Sequence, residues 1–195
     1  VVLLDIGLHK GFKSIEPAGF ILMKKKLIKK IYKPKKQFAH KGTYGHALLV
    51  AGSYGKMGAA LLAAKACLRA GVGLLTVHVP EIGYEILQGN IPEAMAITGD
   101  SIDIKKYTTI GIGPGLNTTE PAVNLVNSIL QNIQSTKEEQ SAENFQLVVD
   151  ADALNILSAH PALLSLLPAS TILTPHPKEF ERLFGKAAND FERIE

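Results

Sequence analysis

The chain has 195 residues, of which 46% are apolar and 20% are charged, and its formal net charge is +3. This is the composition of an ordinary globular domain that is long enough to bury a sizeable core. No apolar run approaches the roughly 20 residues of a membrane span, and the single cysteine, Cys67, has no disulfide partner. We therefore expect a protein of the reducing cytoplasm with no membrane partner.

Residues 24–41 form a basic segment with nine lysines and no acidic residue. One interpretation is an arm that binds nucleic acid. The other is a short amphipathic helix with a solvated lysine face, since six apolar residues follow helical spacing: Leu22, Met23, Leu27, Ile28, Ile31 and Tyr32. We favour the helix and expect no nucleic-acid partner, because no arginine or aromatic pattern suggests groove readout or base stacking.

From His46 onward, strand-like and helix-like runs alternate, which predicts an α/β fold with a mostly parallel central sheet. The predicted strands are 46–51, 74–79, 93–97, 107–112, 147–150 and 171–174. The predicted helices are 60–70, 120–133, most of 153–167, and 178–184. Gly71 is expected to stop the first helix, and Thr118 or Thr119 to cap the second. The polar run 135–144 is expected to be a loop.

Unusual residues follow four of these strands directly. The motifs are GSYGKMG (52–58), GPG (113–115), DAD (150–152) and TPHP (174–177). In open parallel sheets, ligands bind at the edge formed by the carboxyl ends of the strands. The sequence therefore predicts that the four motifs meet at one crevice.

The glycine turn 52–58 fits neither of two common nucleotide motifs. Its spacing is G-x-x-G-x-x-G rather than G-x-G-x-x-G, and Lys56 is followed by Met57 rather than by a hydroxyl residue, as a P-loop requires. The turn could cradle an anionic or polar ligand group at a helix N-terminus, or its glycines could serve chain sterics alone. The same two alternatives apply to Gly113 and Gly115.

Side chains of the other two motifs also have two interpretations. Asp150 and Asp152, two residues apart in an extended segment, would point to one side and suit a metal ion or a sugar hydroxyl. We favour a helix-capping role for Asp152 and leave the role of Asp150 open. His176, clamped between two prolines, is favoured as a binding residue that is held rigidly. No Cys or His pair has ligand spacing, so we expect no metal site formed by protein ligands.

Together, four stretches identify a resemblance to a known family. HKGTYGHALLVAGSYGKMGAALLAAKACLRAGVGLLTV, IGIGPGLN, VVDADALN and ILTPHPKE closely resemble the ADP- or ATP-dependent NAD(P)H-hydrate dehydratases and occur in that family's order. The resemblance implies a ribokinase-like α/β fold with helices on both faces of the sheet. It also suggests that residues 1–20 end a preceding epimerase-like domain, 21–40 form a basic linker helix, and 41–195 form the first two thirds of the dehydratase domain.

The family resemblance implies repair of hydrated NADH and NADPH (NADHX and NADPHX). ADP or ATP, with Mg²⁺, would phosphorylate the ring hydroxyl, and phosphate would then be eliminated to regenerate NADH or NADPH. The substrate-binding residues implied are Gly58, Ala59, Gly113, Gly115 and His176, with Lys41 to Tyr44 and Asp150 near the same crevice. A homo-oligomer, specifically a tetramer, is also implied.

The chain departs from the family pattern in one respect. The family's lysine-glycine-alanine strand and its G-x-G-D motif, whose aspartate is the expected catalytic base, do not occur after TPHP in these 195 residues. We therefore expect no catalytic residue in this chain, an incomplete sheet at its C-terminal side, and no activity from the chain alone. A vitamin or sugar kinase of the same fold and a non-catalytic nucleotide-binding module are the alternatives.

Overall fold

The computed structural model describes residues 6, 7, 9, 11, 23–32, 34–99, 101–139, 146–190, 192 and 193. The chain divides into two compact units, residues 1–39 and residues 40–195. In the first unit, helix α1 (Lys25–Ile31) lies within the predicted basic helix and buries none of its residues. Leu22 and most of the predicted epimerase-like segment lie outside the described residues. No described helix is long and apolar enough to cross a bilayer.

The second unit is built on one six-stranded sheet. Its strands are β1 (His46–Val50), β2 (Leu74–His78), β3 (Met95–Ile97), β4 (Thr109–Ile112), β5 (Gln146–Val149) and β6 (Ile172–Leu173). They lie in the order β3-β2-β1-β4-β5-β6, and every pairing is parallel. The predicted parallel α/β sheet is therefore confirmed.

Five described helices belong to this unit. They are α2 (Met57–Ala70), α3 (Tyr84–Asn90), α4 (Glu120–Glu139), α5 (Ala151–Ala159) and α6 (Pro177–Phe184). Gly71 ends α2 in the left-handed conformation, with φ 105°, as predicted. Helix α3 is absent from the sequence predictions, because seven residues that include Gly89 give only a weak periodic signal.

The predicted loop at 135–144 is wrong over its first residues, since α4 continues to Glu139. The Ser135 and Thr136 hydroxyls donate to the carbonyls of Gln131 and Asn132, four residues earlier. Hydroxyl side chains that bond back in this way can be accommodated within a helix. A polar run on a solvated helix face therefore resembles a loop in the sequence.

Two apolar cores flank the sheet, so that helices cover both of its faces. Along β1, Ala47 and Leu49 belong to the core formed with α2 and the Leu87 side chain of α3. Leu48 and Val50 belong to the other core, which includes buried residues of α4 and α5. This alternation explains why β1 is a continuous apolar run, because side chains on both faces of the strand are buried.

His46 lies half-buried at the start of β1. Its Nε2 lies 2.8 Å from the Thr76 hydroxyl, and its ring meets that of Tyr107 edge-on at 4.7 Å. Burial lowers the pKa of His46 below its ordinary value of 6.5. The native state therefore binds fewer protons at this position than the unfolded chain does.

We predict that protonation of His46 destabilises the fold in acid. The contribution of the neutral ring to stability is fully present above pH 6.5 and declines as the pH falls through the lowered native pKa. Urea unfolding at pH 7.5 and at pH 5.5 should therefore show a smaller loss of stability in His46→Gln than in the unmodified chain. His160→Gln, at an exposed histidine, is the control. An equal loss in all three proteins would contradict the prediction.

Candidate functional site

The structure brings the four predicted motifs together at the carboxyl edge of the sheet. The motifs follow β1, β4, β5 and β6, which are adjacent in the sheet order. Backbone hydrogen bonds continue between strands at this edge, from Gly113 N–H to the Val50 carbonyl and from Asp150 N–H to the Ile112 carbonyl. The predicted convergence of the motifs is therefore confirmed.

The glycine turn after β1 is fixed to the GPG loop at two points. The Gly52 N–H donates to the Pro114 carbonyl at 2.9 Å, and the Ser53 hydroxyl donates to the Gly115 carbonyl at 2.8 Å. Gly52 and Gly55 both have positive φ, 83° and 77°, which glycine adopts without steric cost. The turn is thus held in one position against its neighbouring loop.

Helix α2 begins directly after this turn, and Gly58 in its first turn is exposed, whereas Met57 and Ala60 are buried. Lys56 occupies the N-cap position without a side-chain capping bond. A Cβ placed on Gly58 would have no heavy atom within 4 Å, and Ala59 beside it is half-buried. The first turn of α2 therefore offers open space at Gly58 beside a helix N-terminus, whose dipole suits an anionic or polar ligand group, while the Ala59 N–H is already bonded to the Lys56 carbonyl.

The two glycines of the GPG loop have a different role from Gly58, since each allows contact between loops. A Cβ on Gly113, where φ is 130°, would lie 1.8 Å from the Asp150 carbonyl oxygen. A Cβ on Gly115, where φ is 66°, would lie 2.8 Å from the Lys56 carbonyl oxygen and 2.9 Å from the Ala59 Cβ. The steric interpretation is thus supported for Gly113 and Gly115, whereas the space beside Gly58 is open.

The favoured capping role of Asp152 is wrong. Helix α5 begins at Ala151, two residues earlier than predicted, and places Asp152 in its first turn. One carboxylate oxygen of Asp152 accepts from the Asn117 N–H at 2.8 Å and from the Lys56 Nζ at 3.1 Å. Asp152 therefore connects the loops after β1 and β4 to α5. The sequence around Asp152 carries no signal of this role, because its partner Lys56 lies 96 residues away.

Asp150 does not share a ligand side with Asp152, because the segment between them is not extended. Ala151 has φ 48°, a conformation that is uncommon for a residue with a Cβ and that turns the chain into α5. Asp150 Oδ1 instead accepts from the Thr174 hydroxyl at 2.9 Å, which joins the loops after β5 and β6. Within the described ranges, no group of three or more His, Cys, Asp or Glu could hold a metal ion.

His176 is held rigidly by a capping box at the start of α6. Its Nδ1 accepts from the N–H groups of Lys178 and Glu179 at 3.1 and 3.4 Å, and Glu179 accepts from the His176 N–H at 2.9 Å. Because Nδ1 accepts, the ring proton lies on Nε2, which is 3.2 Å from the second Glu179 oxygen. The spacing His-x-x-Glu is the signal that could have revealed Glu179.

Lys41 to Tyr44 do not join this crevice, which corrects the expectation drawn from the family. These residues form a short 3-10 helix directly before β1. The Tyr44 carbonyl accepts from the Gly73 N–H, immediately before the start of β2. They therefore lie at the amino edge of the sheet, opposite the four motifs, because in a parallel sheet all strand starts share one edge.

The architecture defines the class of protein. A ribokinase-like superfamily protein from Enterococcus faecalis superposes with a TM-score of 0.70 over 83% of this chain and 55% of that one, at 23% identity. A parallel sheet with helices on both faces and four motifs at its carboxyl edge is thus a ribokinase-like α/β fold, as the family resemblance implied.

The particular family follows from closer relatives. The family model for the NAD(P)H-hydrate dehydratases matches residues 47–195, and the chain belongs to this family. The ADP-dependent (S)-NAD(P)H-hydrate dehydratase of Streptococcus thermophilus is 39% identical over 84% of this chain and 58% of its own length. The bifunctional NAD(P)H-hydrate repair enzyme of Coxiella burnetii is 37% identical over 80% of this chain and 30% of its own length.

A solved structure supports the same relationship. The ADP/ATP-dependent NAD(P)H-hydrate dehydratase from Bacillus subtilis, co-crystallised with ATP and Mg²⁺, is 31% identical to this chain with a TM-score of 0.59. The match covers 78% of this chain and 51% of that structure. The chain thus spans about half the length of this structure, and 58% or less of the two relatives above.

We predict that Gly113→Ala strongly destabilises the second unit. The added methyl group would overlap the Asp150 carbonyl at 1.8 Å, and overpacking combined with backbone strain should cost about 3 kcal/mol or more. Gly89→Ala is the matched control, because its Cβ would meet nothing within 4 Å and a helix gains up to about 1 kcal/mol from the change. Urea unfolding measures both variants, and equal stability would contradict the steric role of Gly113.

Proposed function

We propose that this chain supplies the substrate-binding part of a nucleotide-dependent NAD(P)H-hydrate dehydratase, and that the glycine turn faces the hydrated nicotinamide. The observation that carries the proposal is the accessible first turn of α2 at Gly58 and Ala59, located where the four motifs meet. The helix N-terminus and the missing side chain at Gly58 suit a ring and a phosphate that approach the backbone. The names of the relatives supply the substrate class.

In the proposed reaction, the ring hydroxyl of NADHX or NADPHX takes a phosphoryl group from ADP or ATP. The phosphate then leaves with the C–O bonding electrons while a proton departs from the neighbouring carbon, and the ring double bond forms again. Mg²⁺ would accompany the phosphates of the nucleotide. We place Gly58, Ala59, Gly113, Gly115 and His176 around the nicotinamide end, with Asp150 beside them.

The contacts of His176 leave neither ring nitrogen free for proton transfer. Its Nδ1 lone pair is occupied by two backbone N–H groups, and its Nε2 already carries the ring proton. A neutral histidine in this arrangement has no free basic nitrogen. We therefore propose that the base is the aspartate of the family's G-x-G-D motif, which these 195 residues do not contain after TPHP, and that the chain alone does not complete the reaction.

Two further expectations remain proposals. We propose a homo-oligomer, specifically a tetramer, on the family resemblance alone. The single cysteine of the chain supports a cytoplasmic location, because disulfides are rare in that compartment.

Gly58→Leu tests the proposed function. The leucine would project into open space, so the fold should be preserved while the ring is excluded. Calorimetric titration of the 195-residue chain should show NADHX affinity reduced about tenfold or more, with any ADP affinity changed less than about twofold. Ala66→Leu, at an exposed position of the same helix, is the matched control and should bind NADHX normally.

Two outcomes would contradict the proposal. Unchanged NADHX binding by Gly58→Leu would mean that the turn does not face this ligand, and equal losses for NADHX and ADP would mean that it holds the nucleotide. Turnover is followed in parallel through absorbance at 340 nm with NADHX and ADP. Steady regeneration of NADH by the 195-residue chain would contradict the assignment of the base to the G-x-G-D motif.

A further inference from the structure

A second concave site opens beside the glycine turn. It is a cleft of about 350 Å³ bordered by the start of the turn, the end of β2 and the first turns of α4, and we call it the Tyr54 cleft. The lining residues that matter here are Tyr54, Val79, Glu81, Leu116, Thr119 and Leu125. Its volume is that of a pocket for a small molecule. Among the described residues, no part of α2 lines it, so it is distinct from the open space at Gly58.

The cleft presents an aromatic ring and an apolar wall. Tyr54 is 82% exposed although it sits on a turn that is fixed to the GPG loop through Gly52 and Ser53. Pro121, which is exposed, and Leu125, which is half-buried, line the cleft with apolar surface. An exposed aromatic ring on a fixed turn, beside an apolar wall, is a stacking surface for a planar heterocycle.

The cleft also contains a carboxylate with a fixed orientation. The Thr98 hydroxyl donates to Oε1 of Glu81 at 2.6 Å, and Glu81 belongs to the short 3-10 turn after β2. No lysine or arginine occurs among the described residues that line the cleft, and the His78 ring, which also lines it, is buried with its Nε2 2.7 Å from the Gly99 carbonyl. A carboxylate without a neighbouring cation accepts hydrogen bonds from sugar hydroxyls, as in dinucleotide sites, and repels phosphate.

We propose that the Tyr54 cleft binds the adenosine end of the dinucleotide, with adenine stacked on Tyr54 and the ribose hydroxyls donating to Glu81. This assignment rests on the proposed function, which places the nicotinamide end at Gly58. The same turn then separates the two ends, and the pyrophosphate crosses it. Both binding regions include residues of the same turn, 52–58, which is the observation that links them.

A consequence of this geometry is discrimination between the two cofactor types. A 2′-phosphate on the adenosine ribose would face the Glu81 carboxylate, and none of the described residues that line the cleft is a lysine or arginine that would offset the repulsion. The cleft therefore favours the dinucleotide that lacks the 2′-phosphate. Glu81→Gln keeps an oxygen for the Thr98 hydroxyl and removes the charge.

The test measures binding of three stable probes to the 195-residue chain by calorimetry: ADP-ribose, 2′-phospho-ADP-ribose and reduced nicotinamide mononucleotide. Tyr54→Ala should lower the affinity for ADP-ribose about tenfold, which is the effect expected of one lost stacking contact. The affinity for the mononucleotide should be unchanged. Tyr54→Phe should retain the affinity. Tyr84→Ala, at an exposed tyrosine outside the described cleft lining, is the matched control.

Glu81→Gln should raise the affinity for 2′-phospho-ADP-ribose about tenfold relative to ADP-ribose. The proposal is overturned if ADP-ribose does not bind, or if Tyr54→Ala leaves the affinity for ADP-ribose unchanged. It is also overturned if Tyr54→Ala lowers the affinity for the mononucleotide equally, or if Glu81→Gln leaves the ratio of the two ADP-ribose affinities unchanged. These failures differ from failure of the proposed function. Mononucleotide binding without a Tyr54 effect would reject only the cleft, and unchanged NADHX binding in Gly58→Leu would reject only the nicotinamide assignment.

Discussion

Close approach of the main chain at Gly113 is the constraint on which the site depends. Because Gly113 has no side chain, the GPG loop can lie directly against the Asp150 carbonyl. A Cβ at this position would lie only 1.8 Å from the carbonyl oxygen. Gly115 allows the same approach to the Lys56 carbonyl on the other side. Three loops that follow three adjacent strands are thereby packed backbone to backbone. This packing fixes the positions of the loops relative to one another at the carboxyl edge of the sheet.

Side-chain contacts then hold the loops in this arrangement. Asp152 accepts from both Lys56 and Asn117, and Asp150 accepts from the Thr174 hydroxyl, so each loop is bonded to its neighbour. The polar groups of the motifs are therefore largely used in positioning the loops. Loops that are fixed in this way are suited to holding a ligand in a defined orientation.

The sequence predicted the parts of the structure that depend on local pattern. The β1 run from His46 and the glycine end of α2 were correct because burial on both faces and left-handed caps leave direct signals. The role of Asp152 was wrong because its partners are distant in sequence and the positive φ of Ala151 starts α5 early. The placement of Lys41 near the crevice was wrong because a segment that directly precedes β1 lies at the amino edge of a parallel sheet.

The most direct test of the central claim is amide chemical-shift mapping of the isotope-labelled chain during titration with NADHX. If the backbone-packed loops at the carboxyl edge form the binding site, the largest shifts will occur at Gly58, Ala59 and Gly115. The amides of Lys41 to Tyr44, at the opposite edge, will remain unchanged. Shifts that cluster at Lys41 to Tyr44, with none at the glycine loops, would contradict the claim.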